Sequence, residues 1–400
     1  MTKQQREGKQ NMREQAMAMT GIGAVTGYGW GTKYLWEGLL SGKPAATLLG
    51  GYGQNRDEDV WLARVSDDGD PADGASLAAR AMRAAAREAI TDALERGWTP
   101  GRQVGVVHAV VVSELEEWGR FHCEDGGQRR VRDYLALMPS TPVSLLMQEY
   151  GFHGPAMNVS AMCASGNAGI LTAKMWLDCG IADDVVFLTT DLSMTPETVD
   201  HFVRMGVGVV DTEPLDACRP FQEGSRGFPM GEAAVAFVLS RDSGQPYANV
   251  LGGAMSHDAY HVTSVDPTHT QVEACVRQAL DRAGVDAGAI RYMNAHGPGT
   301  QQCDRAEAAI LEEILNGRPE IYSVKPLVGH CQGAASAVEL ATAAFAYEYG
   351  VIPAPPRVAP GHPRLLDGPT PMAEGLTLKT SLGMGGHNSA VVLASPNQVA

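Results

Sequence analysis

A chain of 400 residues that is 44% apolar has material for two domain-sized units or one large duplicated fold around a substantial core. Its net charge of −15 and pI near 5.2 argue against a nucleic-acid surface and against adsorption to an anionic membrane, and any acidic partner would need a local basic patch. The seven cysteines, at 123, 163, 179, 218, 275, 303 and 331, form no C-x-x-C pair and no metal-ligand spacing, and their odd number fits reduced thiols in a cytoplasm.

In chain order, "MTKQQREGKQNMREQAMAM" has no apolar h-region, and no later run of eighteen apolar residues follows, so residues 1–17 are expected to be a mobile extension on a soluble protein. Glycines crowd "GIGAVTGYGWG" (21–31), but Gly21 and Gly23 are followed by Gly27, and no acidic residue sits on a second strand about twenty residues on. A dinucleotide loop is therefore not expected. "SDDGDPADG" (66–74) reads as an acidic loop. "SLAARAMRAAAREAITDALERGW" reads as a helix with a stripe of Met82, Ala86, Ile90 and Leu94, stopped by Gly97 and Pro100. Short β-rich runs occupy 103–112, 185–190, 233–239 and 388–394, and their alternation with helical segments gives an α/β class. Seven prolines in the nineteen residues 353–371 exclude regular structure there and predict a surface connection pinned to the body.

Three strand-to-helix turns carry reactive side chains, which is where α/β proteins place catalytic groups. "SAMCASGNAG" (160–169) sets Cys163 among small residues at the start of a helix, where the dipole is expected to lower a thiol pKa. "RYMNAHGPGTQQCDRAEAAI" ends a β-rich run at His296, with Asp304 and Glu307 on the helix that follows. "IYSVKPLVGHCQGAASAVEL" leads through Lys325 to His330 and a helix bearing Glu339. One cysteine with two neutral imidazoles suffices for acyl transfer through a thioester. "HDAYH" (257–261) lacks the glutamate of H-E-x-x-H and reads as structural or substrate-lining; no metal site is expected.

The order of these motifs resembles the β-ketoacyl synthases, the condensing enzymes of fatty-acid and type II polyketide assembly. Similar blocks run along nearly the whole chain: "MTGIGAVTGYGWGTKYLWEGLLSGK", "GPAMNVSAMCASG", "CRPFQEGSRGFPMGEAAVAFVL", "NAHGPGT", "VKPLVGHCQGAASAVE" and "SLGMGGHN". The resemblance implies a thiolase-like fold, two duplicated halves stacked α-β-α-β-α and dimerised through the strand before the cysteine. The halves would span 18–245, with the nucleophile, and 246–400, with both histidines. It implies Cys163 as the acyl acceptor, His296 and His330 as the pair assisting decarboxylation and stabilising the enolate, and Lys325 as the holder of the second histidine's network. Glu339, Asp304 and Glu307 would be network carboxylates, and the backbone N–H groups of Cys163 and Met384 an oxyanion hole. Thr263 and Thr300 match pantetheine contacts, Leu382, Met384 and His387 the substrate gate, and Arg219 a mid-chain basic position.

No cofactor is implied beyond the phosphopantetheine of an acyl carrier protein, for which Arg129, Arg130 and Arg219 are the candidate docking residues. The partner subunit would be a second copy or a chain-length factor. Pro298 stands where the family usually has threonine, Leu382 and Met384 where elongating members have phenylalanines, and His387 where threonine is usual, and the segment 45–80 is short. These departures point to a reshaped acyl pocket, since methionine fills irregular space. They also leave a non-condensing acyltransferase on the same fold as an alternative. A chain-length-factor-like subunit is the other, although such partners usually lack the cysteine.

Overall fold

The computed structural model describes residues 16–112, 115–123, 130–241 and 244–398. Residues 1–15 of the expected extension and Arg129 lie outside them, whereas Met17 is buried and opens the first strand.

Among the described residues, five strands of the continuous main sheet belong to each half. The first half contains β1 (Met17–Thr26), β2 (Val104–Ala109), β3 (Ala156–Val159), β4 (Asp184–Asp191) and β5 (Ala233–Ser240). The second contains β6 (Ala248–His257), β7 (Ile290–Asn294), β8 (Glu320–Tyr322), β9 (Leu376–Gly383) and β10 (His387–Ala394). The spatial order is β3-β2-β4-β5-β1 in one and β8-β7-β9-β10-β6 in the other, which is the same 3-2-4-5-1 arrangement twice. In both, the second strand runs parallel to the third and fourth, and the fifth is antiparallel to its neighbours. The halves join where Met17, Ala18 and Met19 of β1 pair with Val250, Asn249 and Ala248 of β6.

Five helices make the layers: α1 (Leu77–Glu95), α2 (Ser165–Asp178), α3 (Thr270–Ala283), α4 (Gln301–Ala309) and α5 (Ala335–Tyr349). The outer helix α1 covers β1, β4 and β5, and α3 covers β6 and β10. Between the halves lie α2 and α5, packed on each other and on strands of both. Every residue from Ala335 to Ala346 is buried, the pattern of a helix with no solvent face, and its many alanines let the flanking layers approach.

The N-terminal glycines have a packing role. A Cβ on Gly21 would sit 2.0 Å from the Ala89 carbonyl oxygen and one on Gly23 1.9 Å from that of Ala85, so β1 lies directly on α1 only because both are glycine. On α1 the buried face is Ala81, Met82, Ala85, Ala86, Ala89, Ile90 and Ala93, while Leu94, expected in the stripe, is exposed. An i, i+4 row drifts about 40° around the helix at each step, so its fourth member has left the face that its first member occupies. The acidic loop folds into a short 3-10 turn that buries Asp73 against Arg83 and Arg87. The proline-rich connection is not free of regular structure, since its ends pair as short antiparallel strands (Val351–Pro353 with Pro369–Pro371); between them it is pinned as expected, Gln222 Oε1 accepting from Val358 and Ala359 N–H and Ile321 N–H donating to Arg364 at the outer edge of β8. Among the described residues no helix is long and apolar enough to cross a membrane.

Candidate active site

Both halves turn from their third strand into the central helix in the same way. Met162 (φ +49°) and Gln332 (φ +44°) each adopt the left-handed region, each opens a single 3-10 turn (Met162–Ala164 and Gln332–Ala334), and each turn runs into α2 or α5. For non-glycine residues that conformation is strained and is retained where the surroundings enforce it. The duplication sets Cys163 in one elbow and Gly333 in the other.

The thiol is held up, not down. Burial pushes Cys163 to about 11, outweighing the opposing pull of the Met384 N–H, of Cys163's own N–H and of Lys325. The helix start therefore does not leave the thiol with the lowered pKa expected from the sequence, because desolvation of the anion is the larger effect.

His296 follows β7 and His330 follows the short helix Lys325–Val328; both are buried, and one ring nitrogen of each lies within 4.8 Å of the other and of Cys163 Sγ. The rings meet edge to face with centroids 5.6 Å apart. The Gln332 N–H donates to His330 Nδ1 at 3.0 Å, so Nδ1 is the bare nitrogen and Nε2 carries the proton. Lys325 Nζ, which has only donors, stands 3.3 Å from His296 Nδ1 and fixes the same tautomer there. Each imidazole thus offers the cavity an Nε2–H. Burial, with Lys325 and Lys379 nearby, drives both pKa values well below the usual imidazole range, so the rings are neutral near pH 7.

The expected role of Lys325 is corrected at this point. Its Nζ donates to the His296 carbonyl and pairs with Glu339, so it serves the first histidine, while a backbone N–H orients the second. Glu307, buried on α4, accepts from His296 N–H (2.7 Å), Gly297 N–H (2.8 Å) and Thr380 Oγ1 (2.6 Å). Asp304, one helical turn earlier, accepts from Phe221 N–H and ties the mid-chain block to α4; burial lifts it to about 7.

A cavity of 960 Å³ opens from this centre, and its wall includes Cys163, His296, His330, Thr263, Thr300, Leu382 and Met384. His387 is not in that wall; it packs edge to face on His257 beyond the Gly385–Gly386 turn. Phe202, Met205, Val207 and Phe228 supply apolar wall that the sequence reading did not name, and Arg226, paired with Asp211, stands there as an unanticipated basic group. Of the basic residues singled out earlier, Arg130 is bound to Asp133 and Arg219 to its own loop at Gly224.

Two family models match in tandem, the β-ketoacyl synthase N-terminal domain over 14–244 and its C-terminal domain over 247–358. The chain belongs to the β-ketoacyl synthase family. This synthase is 31% identical over 422 residues to the tetracenomycin polyketide synthase ketoacyl synthase alpha subunit of Streptomyces glaucescens, covering 96% of this chain and 98% of the relative. Its fold matches a type II polyketide ketosynthase solved with its acyl-carrier protein and bound to the hexaketide (TM-score 0.83, 21% identity, 96% of this chain and 100% of that one). It also matches the ketosynthase of Xenorhabdus doucetiae solved with its chain length factor (TM-score 0.82, 22% identity, 95% and 98%). The thiolase-like architecture expected of the synthase is the one found.

Lys379, Thr380 and Ser381, in the middle of β9, are the synthase residues that motif reading missed. Lys379 pairs with Glu339, Thr380 bonds Glu307, and Ser381 Oγ donates to the Cys163 carbonyl at 3.1 Å. The available signal was a lysine inside "LTLKTSLG", a run otherwise patterned as a buried strand.

Proposed function

We propose that this synthase catalyses a decarboxylative Claisen condensation in polyketide assembly, joining an acyl group on Cys163 to a malonyl-type unit delivered on an acyl carrier protein. The polyketide assignment follows the alpha-subunit relative and the ketosynthase structures named above. The observation that carries the chemistry is the pair of Nε2–H donors held beside a buried thiol whose sulfur already receives two backbone N–H groups.

In the first half-reaction the Cys163 sulfur attacks the carrier thioester. The oxyanion is received by the N–H groups of Cys163 and Met384, the carrier sulfur leaves, and the thiol proton departs with it. In the second, the malonyl carbonyl oxygen accepts from both Nε2–H groups. The C–C bond to the carboxylate breaks to release carbon dioxide, and the enolate carbon attacks the acyl carbonyl. The tetrahedral intermediate expels the Cys163 thiolate, which recovers a proton from water. Neutral imidazoles suit this step, because they donate to the enolate oxygen without offering an acidic proton to its carbon. The apolar wall of Phe202, Met205 and Val207 with the polar Thr263 and Thr300 fits a pantetheine arm, whose thioester is the reacting group on the substrate side.

The edge of β3 is the proposed seat of a second subunit, either another copy or a chain-length factor. The intact Cys163, His296 and His330 weigh against this chain being the non-condensing partner.

Intact-mass spectrometry tests the proposal: an acyl-carrier thioester adds its acyl mass to the wild type and not to Cys163→Ala, and a malonyl-carrier thioester then yields a longer carrier-bound product. Acylation elsewhere, or transfer with no carbon dioxide released, overturns it.

A further inference from the structure

Behind the two histidines lies a second buried lysine. Lys379 is fully buried on β9, its Nζ stands 2.8 Å from Glu339 Oε2, and it also donates to the Thr380 carbonyl. Lys325 holds the other oxygen of the same carboxylate. One buried glutamate thus lies between two buried lysines, and the second anion nearby is Glu307, whose oxygens hold the His296 and Gly297 N–H groups and Thr380 Oγ1. Two lysines and two glutamates thus lie around two imidazoles, with burial lowering the pKa of Lys379 and raising that of Glu307.

A structural salt bridge needs one lysine per glutamate, and a further buried ammonium carries a desolvation cost that packing with an apolar side chain would avoid. Methionine or leucine fits a strand such as "LTLKTSLG" at no such cost. Lys379 is not among the residues that line the cavity, and its carbonyl accepts from Asn167 Nδ2 at 3.5 Å. Its reach is electrostatic, since its charge lowers the pKa of His296 and of His330, and Lys325 acts in the same direction.

We propose that Lys379 is a positioning residue for the condensation: it braces Glu339 from the side opposite Lys325 and supplies the second positive charge that keeps His296 and His330 as neutral Nε2–H donors. The inference rests on the assignment of those histidines to decarboxylation. Neutrality matters twice. An imidazolium would pair with the malonyl carboxylate and hold it back from leaving as carbon dioxide. It would also hand a proton to the enolate carbon, giving an acetyl thioester and regenerating imidazole, so that carbon dioxide is lost with no C–C bond formed.

The charged groups facing the two rings fix the sign. Lys325 and Lys379 act on the rings as cations, Glu307 from α4 holds the His296 backbone N–H, Glu339 from α5 pairs with both lysines, and Cys163 stands protonated. Asp191 accepts from the Gly333 N–H of the other elbow and raises the Cys163 pKa. Removing a cation from this set raises the imidazole pKa; removing an anion lowers it.

The test is the pH profile of carbon dioxide release from a malonyl-carrier thioester, with the ratio of acetyl to 3-oxoacyl thioester read by mass spectrometry. For Lys379→Met the acid limb moves up and the acetyl share rises. Lys379→Arg keeps the limb near the wild-type position, and Glu339→Gln moves it down. A folded Lys379→Met that loses rate with an unmoved limb and unchanged product ratio has lost only a structural contact, and the proposal is overturned. If Lys379→Met does not fold, Glu339→Gln decides, and an unmoved limb there is equally fatal. Wild-type protein that releases no carbon dioxide overturns the condensation reading and this inference together, whereas normal wild-type release with unmoved limbs in the variants overturns this inference alone.

Discussion

Thr189 and Ser381 do the same thing in opposite halves of the molecule. Thr189 Oγ1, on β4, donates to the Gly333 carbonyl at 3.2 Å, and Ser381 Oγ, on β9, donates to the Cys163 carbonyl at 3.1 Å. The two strands hold equivalent places in their sheets, and the two carbonyls belong to equivalent positions in the elbows. The duplicated fold therefore braces two elbows and arms one. Gly333 carries no side chain, and a Cβ there would press on Val111 at 2.7 Å and approach the Asp191 carboxylate at 3.2 Å.

The first prediction concerns the thiol. With Cys163 at about 11, the thiolate fraction rises about tenfold per pH unit throughout the neutral and mildly alkaline range. Alkylation of Cys163 by iodoacetamide, followed by mass spectrometry, is expected to accelerate from pH 7 to pH 10 without levelling. A plateau below pH 8 would show a thiol activated at rest and contradict the burial argument.

Glu307→Ala is the second. The substitution leaves the His296 and Gly297 N–H groups buried without an acceptor, a loss of about 1 to 3 kcal/mol for each group. Urea unfolding should show a shift of a few kcal/mol, and carbon dioxide release should fall more than Cys163 acylation, because the damage lies beneath His296.

Much of the chemistry was legible from the sequence because reactive residues cluster at strand-to-helix turns, and Cys163, His296 and His330 do meet there. What stayed hidden was set by tertiary burial. The dipole argument for Cys163 considered its own helix and not the desolvation imposed by the second half. Lys325 was assigned to its neighbour in sequence, His330, whereas the fold turns it toward His296 and Glu339. Lys379 lies inside a strand and outside every motif, and neither the nucleotide-loop comparison nor the family-like opening block reveals that Gly21 and Gly23 are the seat of α1. The repeat leaves no short period in the sequence, because what preserves it is the strand order and the geometry of the two elbows.

Asp191 supplies the third prediction. It accepts from Ser193 Oγ and, at 3.0 Å, from Gly333 N–H, and burial raises its pKa from 3.8 to about 7. A carboxyl with a raised folded-state pKa contributes stability that is complete below about pH 4 and is lost as pH climbs to about 7. Relative to Asp191→Asn, the wild type should therefore weaken between pH 5 and pH 7 by on the order of 1 kcal/mol per unit, with a constant difference above that. Paired urea titrations at pH 5, 6, 7 and 8 measure it, and a flat difference would mean that Asp191 is ionised throughout.

The last prediction concerns the sheet's two ends. At one, the proline-rich segment closes β8 through the Ile321 to Arg364 bond; at the other, β3 has β2 on one side and, among the described residues, no strand on the other. Met157 of β3 is 46% exposed, and the helix 140–150 beside it packs on the helix 131–136, where Val131 is 77% exposed and Leu135 48%. An open strand edge with flanking apolar residues is a surface that proteins otherwise keep covered, so the subunit is expected to pair there. Across a twofold axis each substitution meets its own copy, which makes Met157→Asp doubly unfavourable in a homodimer. Light scattering should find the wild type as a dimer, or as a one-to-one complex when a chain-length factor is co-expressed, and Met157→Asp as a folded monomer. A variant that keeps the wild-type mass would move the interface elsewhere on the molecule.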